Sequence, residues 1–67
     1  MTNKQHIDKL IIESEELIRK TTKLKNFMES DRYKTLDKYH QDLLTLQYNA
    51  MNSYLYILMM RIEDLDA

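Results

Sequence analysis

The nine residues Glu29–Asp37, ESDRYKTLD, decide whether this chain is one long rod or two packed ones. Upstream, apolar residues recur at helical spacing: Ile7, Leu10, Ile11, Leu17, Ile18, Leu24 and Met28. Ile7, Ser14, Thr21 and Met28 share one heptad column, and Leu10, Leu17 and Leu24 share the next. Continued past residue 30, that frame puts Asp31, Lys38, Thr45 and Asn52 on the apolar column. An unbroken helix of about 100 Å would therefore turn its apolar stripe off axis halfway along. Ser30, Asp31, Thr35 and Asp37 supply capping and turn-forming side chains at the break. Asp37 is placed to cap the second helix. The reading is all-α: an antiparallel two-helix hairpin with helix one over about residues 3–30, a connection over 31–36, and helix two over 37–66.

The second helix repeats apolar pairs every seven residues, Leu43/Leu44, Ala50/Met51 and Ile57/Leu58, and then reaches Leu65. At about 100° per residue, Leu44, Met51, Tyr54, Leu58 and Leu65 are expected to face helix one. Leu46, Tyr56 and Met60 point away, with Tyr48, Leu55 and Met59 on a flank. Within SYLYILMMRI, Ser53–Ile62, eight of ten residues are apolar or aromatic. A helix that is apolar around most of its girth is buried around most of it, and one neighbour cannot achieve that. The expectation is a homo-oligomeric bundle of hairpins, a dimer or higher. Its interface, or one to another partner, would use Leu46, Tyr48, Leu55, Tyr56, Ile57, Met59 and Met60. Tyr and Met suit such a role, the one an amphipathic ring and the other an adaptable thioether.

Composition excludes several alternatives. The 67 residues allow one domain, near the lower limit for a chain folding alone. No Cys is present, so no disulfide and no thiolate zinc site can form. With no Gly there is no glycine-rich phosphate loop, and with no Pro or Gly an all-β fold loses its turns. Ten basic residues against eleven acidic ones leave a net charge of −1, which favours neither a nucleic acid nor an acidic mimic of one. The start, MTNKQHIDKL, lacks the apolar core of a signal peptide, and no run reaches the roughly 20 apolar residues of a membrane span. A soluble, cytoplasmic protein without membrane or nucleic-acid partners is expected.

Few residues suggest chemistry. His40, Gln47, Tyr54 and Arg61 are spaced seven apart in helix two. They could form a ladder that holds a small anionic ligand, with Arg61 as the charge anchor. The reading preferred over that one is that they pair with each other, or with Ser14 and Thr21 across the hairpin, and fix register. His6 and His40, the only histidines, lie 34 positions apart with no second histidine near either, which argues against a metal site. No nucleophile stands beside an oriented base, and a narrow hairpin offers no cleft that excludes water. Neither an enzyme nor a cofactor is expected.

The segment Phe27–Leu65 resembles a family of small helical-hairpin accessory proteins of tailed bacteriophages and prophages, with relatives in crAss-like phages. The resemblance runs through Phe27-Met28, Tyr33, Leu36, Leu43-Leu44, Gln47, Ala50-Met51, Tyr54, Ile57-Leu58 and Arg61-Ile62. It covers about two-thirds of the chain and carries over no set of functional residues. It implies a protein acting by binding: either it inhibits a host or defence protein, or its oligomer soaks up a signalling nucleotide in the bacterial cytoplasm. A purely structural role without a ligand is the third reading.

Overall fold

The structure, a computed structural model, describes residues 3–66. It is all-helical: α1 Asn3–Met28, a single turn α2 Asp31–Lys34, and α3 Lys38–Asp66 together take 92% of the described residues, with no strand among them. α1 and α3 lie side by side in a rod of 48 × 16 × 15 Å.

Without glycine the turn needs another way to stop a helix, because no left-handed residue is available to close α1. Among the described residues no backbone φ is positive. α1 instead tightens at its end, Ser30 N–H donating to the Phe27 carbonyl at 3.0 Å. Ser30 then caps α2, its hydroxyl accepting from Tyr33 N–H. The connection expected over residues 31–36 thus contains its own helical turn. α2 ends as Thr35 and Leu36 donate back to the Arg32 and Tyr33 carbonyls, each at 3.1 Å.

Gln41 locks this corner to α3, its side-chain amide donating to the carbonyls of Tyr33 at 3.0 Å and Leu36 at 3.1 Å. Tyr33 returns its hydroxyl to the Gln41 carbonyl at 3.2 Å, and its ring meets Phe27 edge-on at 6.3 Å. Asp37 caps α3 as expected: its carboxylate accepts from His40 N–H at 2.9 Å, and its carbonyl takes the first helical bond from Gln41.

The buried face of α1 follows the two heptad columns. Leu10, Ser14 and Thr21 are buried, and Ile7, Leu17, Leu24 and Met28 are half-buried. In α3 the half-buried and buried positions are Gln41, Tyr48, Leu55 and Ile62 in one column and Leu44, Met51, Leu58 and Leu65 in the other. Alternating steps of three and four on both helices give coiled-coil packing. Tyr48 and Leu55, expected on a flank, are seam residues. Tyr54, expected to face α1, stands at the seam's exposed edge.

The polar seam residues satisfy themselves within α1. Ser14 Oγ donates to the Ile11 carbonyl at 2.8 Å and Thr21 Oγ1 to the Leu17 carbonyl at 2.7 Å. They make no bond across the hairpin to the His40–Arg61 ladder. Their small size admits bulky residues of α3, and Thr21 shares a recess with Tyr48 and Leu55.

Leu58, 0% exposed, is the most deeply buried side chain. Leu58→Ala should cost about 2–5 kcal/mol through lost transfer energy and a residual cavity, read as a lower urea midpoint by circular dichroism. A loss below about 1 kcal/mol would contradict the packing described.

Asp37 titrates below the usual carboxylate range, chiefly because its charged form accepts the His40 backbone N–H and secondarily because it bonds the His40 ring. A depressed folded-state value gives stability that is present above the unfolded value and lost as pH falls through the folded one. The wild-type melting temperature should therefore fall more between about pH 5 and pH 3 than that of Asp37→Asn, which caps without a charge. Equal falls would show that this carboxylate plays no part in acid sensitivity.

Candidate functional site

The open end of the hairpin, where the start of α1 meets the end of α3, gathers charge. His6, Lys9, Leu10 and Glu13 of α1 and Arg61 of α3 line an open recess of about 270 Å³ there. Helical spacing explains the grouping. His6, Lys9 and Glu13 are three and four residues apart, so they share a face of α1. The antiparallel register then sets His6 opposite Arg61 and Glu13 opposite Tyr54. Leu10, 6% exposed, forms the apolar floor.

Tyr54 connects this recess to the middle of α3, its hydroxyl donating to Glu13 Oε1. That bond is made by the neutral phenol, so it raises the Tyr54 pKa above its ordinary value of 10.0, with desolvation and the Glu13 charge adding to the shift and Arg61 opposing it. The recess thus holds the Glu13 carboxylate, one oxygen of it bonded to Tyr54, beside the cationic Lys9 and Arg61.

The four-residue ladder does not come together in one chain. His40 and Arg61 are 21 residues apart on one helix, a separation of about 30 Å. His40 bonds Asp37 at the cap, Nδ1 to Oδ1 at 2.7 Å. Gln47 directs its amide to Met51 Sδ at 3.9 Å within α3. Tyr54 reaches Glu13, and only Arg61 enters the charged recess. Heptad spacing singles out Arg61 but not its neighbours His6 and Lys9. The signal was available in the hairpin register, once the turn was fixed at residues 30–37.

A second recess of about 200 Å³ lies on the other side of the seam, lined by Ile18, Thr21, Thr22, Lys25, Tyr48, Asn52 and Leu55. It carries a single charge, Lys25.

Of the residues expected at an interface, Leu46 (63% exposed), Tyr56, Ile57 (51%), Met59 and Met60 (40%) lie open on α3. Tyr48 and Leu55 are instead half-covered by α1. Among the described residues no group of three His, Asp or Glu could hold a metal ion, and no helix is long and apolar enough to cross a membrane.

The Tyr54–Glu13 bond makes a titration prediction. One of the five tyrosines should ionise later than the rest in a tyrosinate absorbance titration, and Glu13→Ala should return it to the ordinary range. Because the folded value is raised, the stability this bond contributes is complete below the unfolded pKa and disappears as pH rises through the folded one. Five indistinguishable tyrosines would contradict the contact.

Comparison with curated proteins and with solved structures gives no match. The family model described as Sequestin matches residues 4–64, spanning both long helices, the turn and every residue of the charged recess. The chain is a member of the Sequestin family.

Proposed function

We propose that this protein is a non-enzymatic binder that, as a homo-oligomer, sequesters a small anionic signalling nucleotide. The observation that carries the proposal is the family match over residues 4–64, since the family's name describes a sequestering protein. The recess at the open end supports it chemically. Lys9 and Arg61 offer fixed positive charge against the single Glu13 carboxylate, Arg61 in the planar form that grips phosphate oxygens in pairs, and His6 adds a further nitrogen. Apolar Leu10 beneath them gives a surface for a base or sugar.

Size argues that one hairpin holds only part of such a ligand. At about 270 Å³ the recess is smaller than the roughly 300–1,000 Å³ of sites that enclose drug-sized molecules. It is also open to solvent, so a second copy would have to close it. A bacteriophage origin and action in the bacterial cytoplasm belong to the same proposal, on the resemblance of Phe27–Leu65.

A second reading is favoured by the exposed face of α3. Leu46, Tyr56, Ile57, Met59 and Met60 form an apolar surface that would suit inhibition of a host or defence protein by direct docking.

Thermal shift against a panel of cyclic nucleotides separates the two. A ligand at a hundred times its Kd adds about 2.7 kcal/mol, which moves the melting temperature of a chain this small by several degrees. Arg61→Ala and Lys9→Ala should each weaken binding about tenfold, the worth of one charge-assisted hydrogen bond. No shift with any nucleotide at millimolar concentration would overturn sequestration and leave the docking reading.

A further inference from the structure

α3 carries two heptad seams, and α1 covers only one. On the side away from α1, Tyr39, Leu43, Leu46, Ala50, Ser53, Ile57 and Met60 follow each other at alternating steps of four and three. All seven are exposed, Tyr39 at 67%. The pattern is that of a coiled-coil seam without its partner helix. It also explains the apolar pairs: Leu44, Met51 and Leu58 face α1, while Leu43, Ala50 and Ile57 face outward.

The geometry points to a second copy of this chain as the occupant, α3 packing antiparallel on α3, with His40 of one copy completing the Arg61 recess of the other. The composite site rests on the anion-binding reading of that recess given above; the helix pairing does not. In an antiparallel coiled coil each layer joins an a position to a d position, and with the two-fold axis midway between Ala50 and Ser53 the layers match in size. Ala50 meets Ser53 of the second copy at the centre, where small side chains allow the helices to approach closely. Leu46 meets Ile57, and Leu43 meets Met60. Tyr39 reaches Asp64, where its hydroxyl can donate to the carboxylate.

A parallel pair would stack Asp64 on Asp64 within the same seam, which costs energy. The antiparallel pair brings Asp42 near Glu63 only at its solvated rim, where screening keeps the repulsion small. The large seam residues Tyr39, Leu43, Leu46, Ile57 and Met60 are 40–67% exposed, so pairing hides an apolar stripe at the low end of the sizes of specific interfaces.

The same register reorganises the ladder. His40, Gln47, Tyr54 and Arg61 form the column midway between the two seams, on the side where these lie only about 160° apart. In the pair this side becomes a shallow trough. His40 of one copy lies beside Arg61 of the other, and Gln47 beside Tyr54. The His40 Nδ1 bonds Asp37, which leaves Nε2 as the ring nitrogen that can serve the neighbouring recess. Each pair then has two sites, lined by His6, Lys9, Glu13 and Arg61 of one chain and by His40, with its Asp37 partner, of the other; Tyr54 holds one oxygen of the Glu13 carboxylate. Residues about 30 Å apart in one chain thus act together.

The chain has no cysteine, which makes the register directly testable. Leu43→Cys and Met60→Cys proteins, refolded together and oxidised, should give a mixed disulfide dimer, while each alone should give none. In the antiparallel pair two copies of position 43 are about 25 Å apart. Self-cross-linking of Leu43→Cys, or no mixed product from variants that keep wild-type helicity, overturns the pairing.

Inorganic pyrophosphate is the probe for the composite site. By calorimetry, His40→Ala and Arg61→Ala should each weaken its binding about tenfold. Refolding the two variants together should restore wild-type affinity to about one quarter of the sites, because half the dimers are mixed and each of those has one intact site. Wild-type affinity in His40→Ala overturns the composite site without touching the anion reading. No pyrophosphate binding by the wild type, with the mixed disulfide formed, overturns the composite site together with that reading and leaves the helix pairing in place.

Discussion

The packing of α3 against α1 is the interaction on which the rest of the molecule depends, and it is one-sided. Two heptad columns on each helix interlock, and the Gly-free corner of Ser30, Tyr33, Asp37 and Gln41 sets their register. That register places Glu13 against Tyr54 and His6 against Arg61. It leaves the outer seam of α3 facing water. The charged recess and the bare apolar face are therefore consequences of one alignment.

The hairpin's own core is slight. Among the described residues Leu10 and Leu58 are the buried apolar ones, and α1 adds the buried Ser14 and Thr21, each hydrogen-bonded to its own helix. Those hydroxyls add little apolar burial, but their small volume lets the helices approach and admits the larger residues of α3. A chain of this size with so small a core sits close to the limit of independent folding. Association through the outer seam would hide the surface that the hairpin cannot.

The two helices and the turn could be read from the sequence because local chemistry and heptad phase agreed there. The columns Ile7/Ser14/Thr21 and Leu10/Leu17/Leu24 keep one phase for three turns of the repeat, and Asp37 carries its cap signal openly. α3 was harder to read because it has two phases. Each apolar pair contributes one residue to either seam, so averaging them tilts the inner face toward Tyr54 and away from Tyr48 and Leu55. The one-turn α2 was hidden by its length, since four residues carry no periodicity. In the recess, Arg61 stood out as the lone cation of a polar column. His6 and Lys9 look like ordinary solvated residues until the antiparallel register brings them opposite it.

The outer face of α3 is either covered by another copy of this chain or left to water. Light scattering on the purified protein at micromolar concentration measures that most directly. The expected mass is at least two chains, falling to one chain when Ile57 and Met60 are replaced by glutamate. A wild-type protein that stays one chain, well ordered and soluble at high concentration, would contradict it.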